Sequence, residues 1–209
     1  MKHHNSNKNI GCLILAAGLS TRMGENKLLL KWAGSTIIGH IVNQWRLLGV
    51  GQIAIVINDK TDSIIEELKR MNFDFSNIIV NPTPENGMFS SIKRAALWNG
   101  WKNNINKIVI VLGDQPHIKT DILTTLLKFS EANEGCICQP SIGEKRAHPI
   151  VIPTNLFRTI NDFSGETLKE FIHKTDAPVR LFQTNETNLL LDIDTPEDYQ
   201  KIISEFDKT

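Results

Sequence analysis

The chain lacks three features that would direct it to other functions: a long apolar run, an excess of one charge, and a cysteine framework. No apolar stretch approaches the roughly 20 residues of a membrane-spanning helix, so no membrane partner is expected. The 23 basic and 23 acidic residues balance, which leaves no electrostatic footprint for nucleic acid. The three cysteines, Cys12, Cys136 and Cys138, have no framework spacing. Free thiols in a cytoplasmic protein without a zinc site are therefore predicted.

Both familiar phosphate-binding loops are absent as well. A Walker A motif ends in Gly-Lys-Ser/Thr, whereas here two residues separate Gly24 from Lys27, and Leu28 follows. No G-x-G-x-x-G follows the first apolar strand. P-loop ATPases and dinucleotide-binding folds of that type are therefore disfavoured.

Residues 13–27, LILAAGLSTRMGENK, form the most informative segment. An apolar strand leads into a turn of small residues, which allows backbone N–H groups to approach a ligand closely. Arg22 and Lys27 add two permanent charges. The segment therefore predicts a polyphosphate site, although a strand, a glycine turn and solvated charges would give the same pattern.

Apolar strand-like runs alternate with helical periodicity along the chain. Strands are predicted at 12–16, 53–57, 77–80 and 107–112, with helices between them, and further strands at 135–140 and 148–152. This alternation predicts a mostly parallel sheet covered on both faces, with ligands outside the carboxyl ends of its strands. The polar residues 1–9 are expected to be a disordered tail, and residues 10–205 a single domain.

Acidic residues occur at two places that can supply a cation site. Asp114 ends the apolar strand 107–112, where it is either a turn residue or a cation ligand. Asp192 and Asp194 precede a helix start in which Thr195 is the expected cap and Asp198 completes a capping-box pattern. One of this pair can meet Asp114 over Mg²⁺, which proteins hold with one or two carboxylates plus substrate phosphates.

An ordered set of motifs carries a family resemblance. It comprises residues 13–27, Asn81-Pro82, Gly87-Met88-Phe89-Ser90-Ser91, Gly113-Asp114-Gln115-Pro116, His148-Pro149 and residues 192–198. Over roughly residues 10–205 the chain resembles the MobA-like nucleotidyltransferases, most closely the branch that forms the cytosine dinucleotide of the molybdenum cofactor. The resemblance implies a Rossmann-like three-layer α/β/α fold with a mostly parallel, mixed central sheet. It also implies that the N-terminal half binds nucleotide and the C-terminal half binds the acceptor.

The resemblance implies a role for each matching residue. The nucleotide-binding set is Leu15, Ala16, Ala17, Gly18, Arg22, Lys27, Gly87, Ser91 and Asp114. Within it Arg22 and Lys27 hold phosphates and, with Asp114, are expected to be catalytic. Asp114 and Asp194 are the expected Mg²⁺ ligands. Gln115, His148 and Pro149 are expected to face the acceptor.

The implied reaction is transfer of CMP from CTP to the terminal phosphate of a molybdopterin-type cofactor, with release of pyrophosphate. CTP and that cofactor are the expected partners, and a recipient molybdoenzyme is a candidate third. Three alternatives stay open: a sugar- or polyol-phosphate nucleotidyltransferase, a guanylyl-transferring relative, and a non-catalytic module that delivers cofactor to a molybdoenzyme. Retention of both candidate metal ligands favours an enzyme over a delivery module.

Overall fold

The fold alternates strands and helices, as the apolar periodicity predicts. The computed structural model describes residues 6–19, 22–60 and 62–206. The strands are β1 (Ile10–Leu15), β2 (Lys31–Trp32), β3 (Ser35–Thr36), β4 (Gln52–Asn58), β5 (Ile78–Asn81), β6 (Lys107–Leu112), β7 (Ile137–Ile142), β8 (Lys145–Arg146), β9 (Ile150–Pro153) and β10 (Val179–Gln183). The helices are α1 (Ile37–Leu47), α2 (Asp62–Arg70), α3 (Met88–Leu97), α4 (Thr120–Glu131), α5 (Thr154–Thr159), α6 (Leu168–Lys174) and α7 (Pro196–Phe206).

One mixed sheet organises the domain, and its order is β10-β7-β9-β6-β1-β4-β5, with β8 paired to β7. β1 lies parallel between β4 and β6, so that Leu13 is opposite Ala54 and Ile110. β9 runs antiparallel to both β6 and β7. Strands β4 and β5 therefore lie on one side of β1, and β6 and the later strands lie on its other side. Such a reversal of strand order is a switch point, where α/β proteins bind ligands.

Two apolar layers cover the sheet. Because side chains alternate along a strand, Cys12 and Ile14 of β1 enter one core with α1, α2, α4 and α7. Leu13 enters the other core with α3, α5 and α6. The three-layer α/β/α architecture is thus confirmed.

The predicted elements differ from the observed ones mainly at their ends. Strands β1, β4, β5 and β6 lie within two residues of their predicted bounds, and β7 and β9 each begin two residues later than predicted. The short strands β2, β3 and β8 and the strand β10 were not predicted. Within the described residues, no helix is long and apolar enough to cross a bilayer.

The predicted disordered tail over residues 1–9 is wrong for its last four residues. Ser6–Asn9 form a 3₁₀ turn. The Asn7 amide donates to the Leu48 carbonyl at 2.7 Å, and the Gly51 N–H donates to the Asn7 carbonyl at 3.1 Å. One side-chain and one backbone hydrogen bond, which composition does not reveal, order this turn, while residues 1–5 lie outside the described part.

Candidate active site

The carboxyl ends of β1 and β6 make a close backbone contact beneath the site. The Gly113 N–H donates to the Leu15 carbonyl at 3.0 Å, and a Cβ at Gly113 would lie 2.6 Å from that oxygen. Next to it, the Asn58 amide at the end of β4 donates to the Ala17 carbonyl at 3.0 Å. These bonds fix the small-residue turn after β1, whose residues Ser20 and Thr21 lie outside the described part.

Lys27 joins the two predicted metal ligands. Its Nζ lies 2.7 Å from Oδ2 of Asp114 and 2.9 Å from Oδ1 of Asp194. A 3₁₀ turn over Lys27–Leu29 positions it, and the Asn26 side chain caps that turn by accepting from the Leu28 N–H at 3.1 Å. Two carboxylates that are far apart in sequence therefore converge on the Lys27 ammonium.

The charges in this cluster are partly shielded from solvent. Burial of the Lys27 ammonium lowers its pKa, but the neighbouring Asp114 and Asp194 outweigh burial, so that the pKa is raised overall. Lys27 is therefore fully charged at neutral pH. Arg22 adds an exposed second cation, with Nη1 3.4 Å from Oδ2 of Asp194.

The start of α7 holds Asp194 in place. Asp198 Oδ2 accepts from the N–H groups of Thr195 at 2.9 Å and Asp194 at 3.3 Å. The Asp198 N–H in turn donates to Thr195 Oγ1 at 3.2 Å. The predicted capping box is confirmed, and it fixes the backbone that presents Asp194 to Lys27.

Asp192 occupies a different position from Asp194. Its Oδ1 accepts from Gln115 Nε2 at 2.8 Å. Burial raises the pKa of Asp192, and the nearby Asp114 charge raises it further. Gln115 is itself buried, and it also donates to the Leu191 carbonyl at 3.2 Å. Gln115 thus ties the β6 turn to the segment before α7 and reaches neither cavity described below.

The first cavity, of about 340 Å³, opens beside the carboxylates. Its lining is Leu15, Ala17, Gly18, Pro84, Gly87, Met88, Ser91, Leu112, Gly113, Asp114, Asp192 and Asp194. Gly87 precedes α3 with φ of +79° and ψ of 175°, a conformation essentially confined to glycine. No side chain caps this end of α3. The Ser90 N–H donates to the Gly87 carbonyl at 3.1 Å, so it is the N–H groups before Ser90 that can meet an anion at the cavity.

Asn81 fixes the segment that leads into α3. It is fully buried at the end of β5, and its amide lies 2.8 Å from Ser90 Oγ and 3.0 Å from Ser91 Oγ. Its Oδ1 accepts from the Thr83 N–H at 3.1 Å. This network explains how Ser91 is presented to the cavity.

A second cavity, of about 730 Å³, adjoins the first at Met88, which lines both. The other lining residues are Gln139, Glu144, Lys145, Arg146, Ala147, His148, Ile150, Thr167, Leu168, Lys169, Ile172, His173 and Leu190. The lining thus contains three basic side chains and one carboxylate, those of Lys145, Arg146, Lys169 and Glu144. This cavity is therefore net basic and partly apolar.

His148 enters the second cavity as a neutral ring. Burial lowers its pKa to about 4, more than the nearby Ile110 carbonyl and Asp114 raise it. His148 consequently carries no positive charge at neutral pH and is a weak base. Pro149 follows it through a cis peptide bond and is buried beneath the wall.

The arrangement brings most of the predicted site together. The predicted nucleotide residues lie at the first cavity or its carboxylates, except that Ala16 is buried beneath it and Arg22 lies outside on Asp194. His148 lines the second cavity. Sequence reasoning missed Asn58, although an asparagine at the end of an apolar strand was the signal available. It also did not single out Gln139, a buried residue in the lining of the second cavity, for which the sequence offers no signal.

Comparison with known proteins places this geometry in a family. A family model described as the MobA-like NTP transferase domain matches residues 12–179. A molybdenum cofactor cytidylyltransferase of Escherichia coli is 27% identical over 191 residues, covering 91% of this chain and 93% of that protein. A probable molybdenum cofactor guanylyltransferase of Carboxydothermus hydrogenoformans is 28% identical over 214 residues, covering 95% of this chain and 98% of that protein.

Similarity extends to further proteins. The bifunctional protein GlmU of a Hydrogenobaculum species is 27% identical over 186 residues, which cover 84% of this chain but only 37% of that relative's length. The solved structure of a nucleotidyl transferase from Methanothermobacter has a TM-score of 0.77 at 18% identity, with 95% of this chain and 98% of that chain covered. This likeness shows the shared fold. The chain therefore belongs to the MobA-like NTP transferase family of nucleotidyltransferases.

Proposed function

We propose that this protein transfers CMP from CTP to the terminal phosphate of a molybdopterin-type cofactor and releases pyrophosphate. The observation that carries the proposal is the Lys27–Asp114–Asp194 cluster at the rim of one cavity, with a second, larger, basic cavity adjoining. Such a pair of cavities suits a reaction that joins two phosphorylated substrates. The cytidylyltransferase relative matched over nearly its full length supports this choice of substrates.

The triphosphate is assigned to the region between the small-residue turn and α3. The N–H groups that precede Ser90 at the uncapped start of α3, and those of the turn after β1, supply neutral donors. Arg22 and Lys27 supply the charges, and both lie on the segment after that turn. Their role is to neutralise the repulsion between the two anionic reactants.

Asp114 and Asp194 fit a divalent cation. Both present a carboxylate oxygen within 3 Å of the single Lys27 ammonium, so one small cation can reach both. Among the residues that the structure describes, no group of three or more His, Cys, Asp or Glu side chains could hold a metal. This agrees with Mg²⁺, which takes its remaining ligands from phosphate and water. When bound, Mg²⁺ supplies charge neutralisation at the phosphates.

In the proposed reaction, an oxygen of the acceptor phosphate attacks the α-phosphorus of CTP in line. The new P–O bond forms as the bond from the α-phosphorus to the bridging oxygen of the β-phosphate breaks, and pyrophosphate leaves with the electron pair. The attacking phosphate is mostly ionised at pH 7, because its second pKa is about 6. No general base is required, which agrees with the low basicity of His148.

The proposed preference for CTP is based on Ala17 in the lining of the first cavity. Ala17 lines that cavity and is 5% exposed, so that its methyl group narrows the space above β1. One methyl group in a pocket favours one substrate over another by only about 1–3 kcal/mol. Stronger preference for CTP over GTP therefore requires hydrogen bonds from the strand end to the base. Transfer of GMP from GTP is therefore the competing reaction, and the similarity to a probable guanylyltransferase supports considering it.

A substrate screen tests this proposal. CTP, GTP, UTP and ATP are each incubated with molybdopterin, a sugar 1-phosphate and a polyol phosphate, and pyrophosphate release is followed. We expect release with CTP and molybdopterin, and none from an Asp114→Asn control. Release only with a sugar or polyol phosphate would contradict the proposal, as would absence of release with every pair.

A further inference from the structure

We propose that Gln139 determines acceptor specificity by donating a hydrogen bond to a ring carbonyl or ring nitrogen of the acceptor. Nothing in the family motifs of the sequence includes this residue. The inference rests on the proposed function, because it specifies the chemistry of the acceptor in the same reaction.

The Gln139 side chain is buried without a partner for its amide nitrogen. It lies in the middle of β7, is 3% exposed and lines the second cavity. Its Nε2 makes no hydrogen bond within the protein. Buried donors are nearly always satisfied, because leaving one unpaired costs the full desolvation of that group. A cavity-lining residue that keeps an unpaired buried donor is therefore explained if a bound ligand completes the hydrogen bond.

A second residue of the same lining, His148, also has an unpartnered atom. His148 Nδ1 is buried without a hydrogen bond, and the ring is neutral at pH 7 because burial lowers its pKa. A neutral imidazole can accept at one nitrogen and donate at the other. Gln139 and His148 together therefore suit a heterocycle edge that presents a carbonyl oxygen beside another polar ring atom.

The remaining lining describes the rest of the ligand. Ile150, Leu168 and Ile172 give the cavity an apolar surface suited to a ring face. Lys145 and Lys169 are exposed in the lining and supply positive charge for an anionic substituent. The acceptor class is thus a polar heterocycle that carries an anionic group, and a sugar phosphate lacks the ring edge that Gln139 would read.

Ser141 provides a matched control on the same strand. It follows Gln139 by two residues, so it lies on the same sheet face. It is also buried, and its Oγ has no partner, but it does not line the second cavity. Substitution of Gln139 removes an unpartnered polar group from the cavity lining, whereas substitution of Ser141 removes one from outside it. Comparing the two variants therefore isolates the effect of the cavity.

The first measurement is binding of pterin-6-carboxylate, a fluorescent heterocycle with a ring carbonyl and an anionic group. Fluorescence titration is carried out on wild type, Gln139→Met and Ser141→Ala. We expect saturable binding to wild type, at least tenfold weaker binding to Gln139→Met, and no more than a twofold change in Ser141→Ala. Equal affinity in wild type and Gln139→Met would overturn the inference, and so would absence of saturable binding to wild type.

Thermal unfolding separates this role from a structural one. Gln139→Met removes a buried unpaired donor with little change in side-chain length, so its Tm should equal or exceed that of wild type. A lowered Tm together with weaker pterin binding would show that Gln139 supports the fold, which would contradict the inference.

Steady-state kinetics with CTP and molybdopterin distinguish the inference from the proposed function. Gln139→Met should raise the KM for molybdopterin at least tenfold and leave the KM for CTP unchanged. Unchanged kinetics for both substrates would refute the role of Gln139 while leaving cytidylyl transfer intact. Pterin binding that depends on Gln139, without transfer to molybdopterin by wild type, would refute the proposed function alone.

Discussion

Replacing Lys27 by methionine should move metal binding and turnover in opposite directions. In the structure Lys27 Nζ contacts Asp114 at 2.7 Å and Asp194 at 2.9 Å, so the ammonium occupies the position between the two proposed metal ligands. A divalent cation must compete with it in the absence of nucleotide. When the triphosphate arrives, the same ammonium is needed by the phosphates.

The magnitudes follow from the geometry. A charge pair at such distances near a protein surface attracts by several kcal/mol, but Asp194 is 46% exposed, and solvent screening leaves about 1 kcal/mol or somewhat more. Lys27→Met should therefore bind Mn²⁺ roughly tenfold more tightly without nucleotide. Loss of one preorganised charge on the phosphates should lower kcat by ~10²–10³.

The assay is electron paramagnetic resonance of free Mn²⁺ during titration of nucleotide-free protein, followed by pyrophosphate release at saturating CTP. Lys31→Met is the control, since Lys31 is an exposed lysine four residues further on and should change neither quantity. Circular dichroism verifies folding of both variants. Unchanged or weaker Mn²⁺ binding by Lys27→Met would refute the competition, and near wild-type turnover would refute its role at the phosphates.

Three further predictions concern the carboxylates, the histidine of the second cavity and the glycine before α3. Asp194→Asn should weaken Mn²⁺ binding strongly and Asp192→Asn much less, because only Asp194 shares the Lys27 ammonium with Asp114; equal Mn²⁺ affinities in the two variants would contradict this. His148 has its pKa lowered to about 4 from 6.5, so the unfolded chain takes up the proton first, and up to about 3 kcal/mol of stability is lost as pH falls from 6.5 towards 4. The free energy of unfolding in urea, measured at both ends of that pH range, should fall less in His148→Gln than in wild type. An equal fall in the two proteins would rule out His148 as the cause. Gly87→Ala should cost about 1–3 kcal/mol in urea unfolding because of its positive φ, and a variant as stable as wild type would mean that this conformation is not required.

The sequence predicted the parts of the site that sit at strand ends. Apolar runs marked β1 and β6, and residues that follow parallel strands meet at one edge of a sheet. The approach of Asp114 to the turn after β1 was therefore foreseeable, and so was the capping box at Asp198, because its spacing is local. The family resemblance added the expectation that Gly87 and Ser91 lie near the nucleotide, which no local pattern requires.

The features of the site that the sequence did not predict depend on contacts between residues far apart in the chain. Lys27 is 87 residues from Asp114 and 167 from Asp194, and nothing in its own segment indicates that it bridges them. Gln115 was expected at the acceptor, but its amide instead holds Asp192 and Leu191. Gln139 resembles any polar strand residue in the sequence. Only the packing around β7 leaves its amide nitrogen buried without a partner.

The most direct measurement of the central claim is a competition between CTP and GTP for molybdopterin in one reaction, with the dinucleotide products separated and quantified. Cytidylyl transfer predicts that the cytosine dinucleotide predominates at equal nucleotide concentrations and disappears in Asp114→Asn. A majority of guanine dinucleotide would contradict the assignment of CTP, and absence of both products would contradict transfer to molybdopterin altogether.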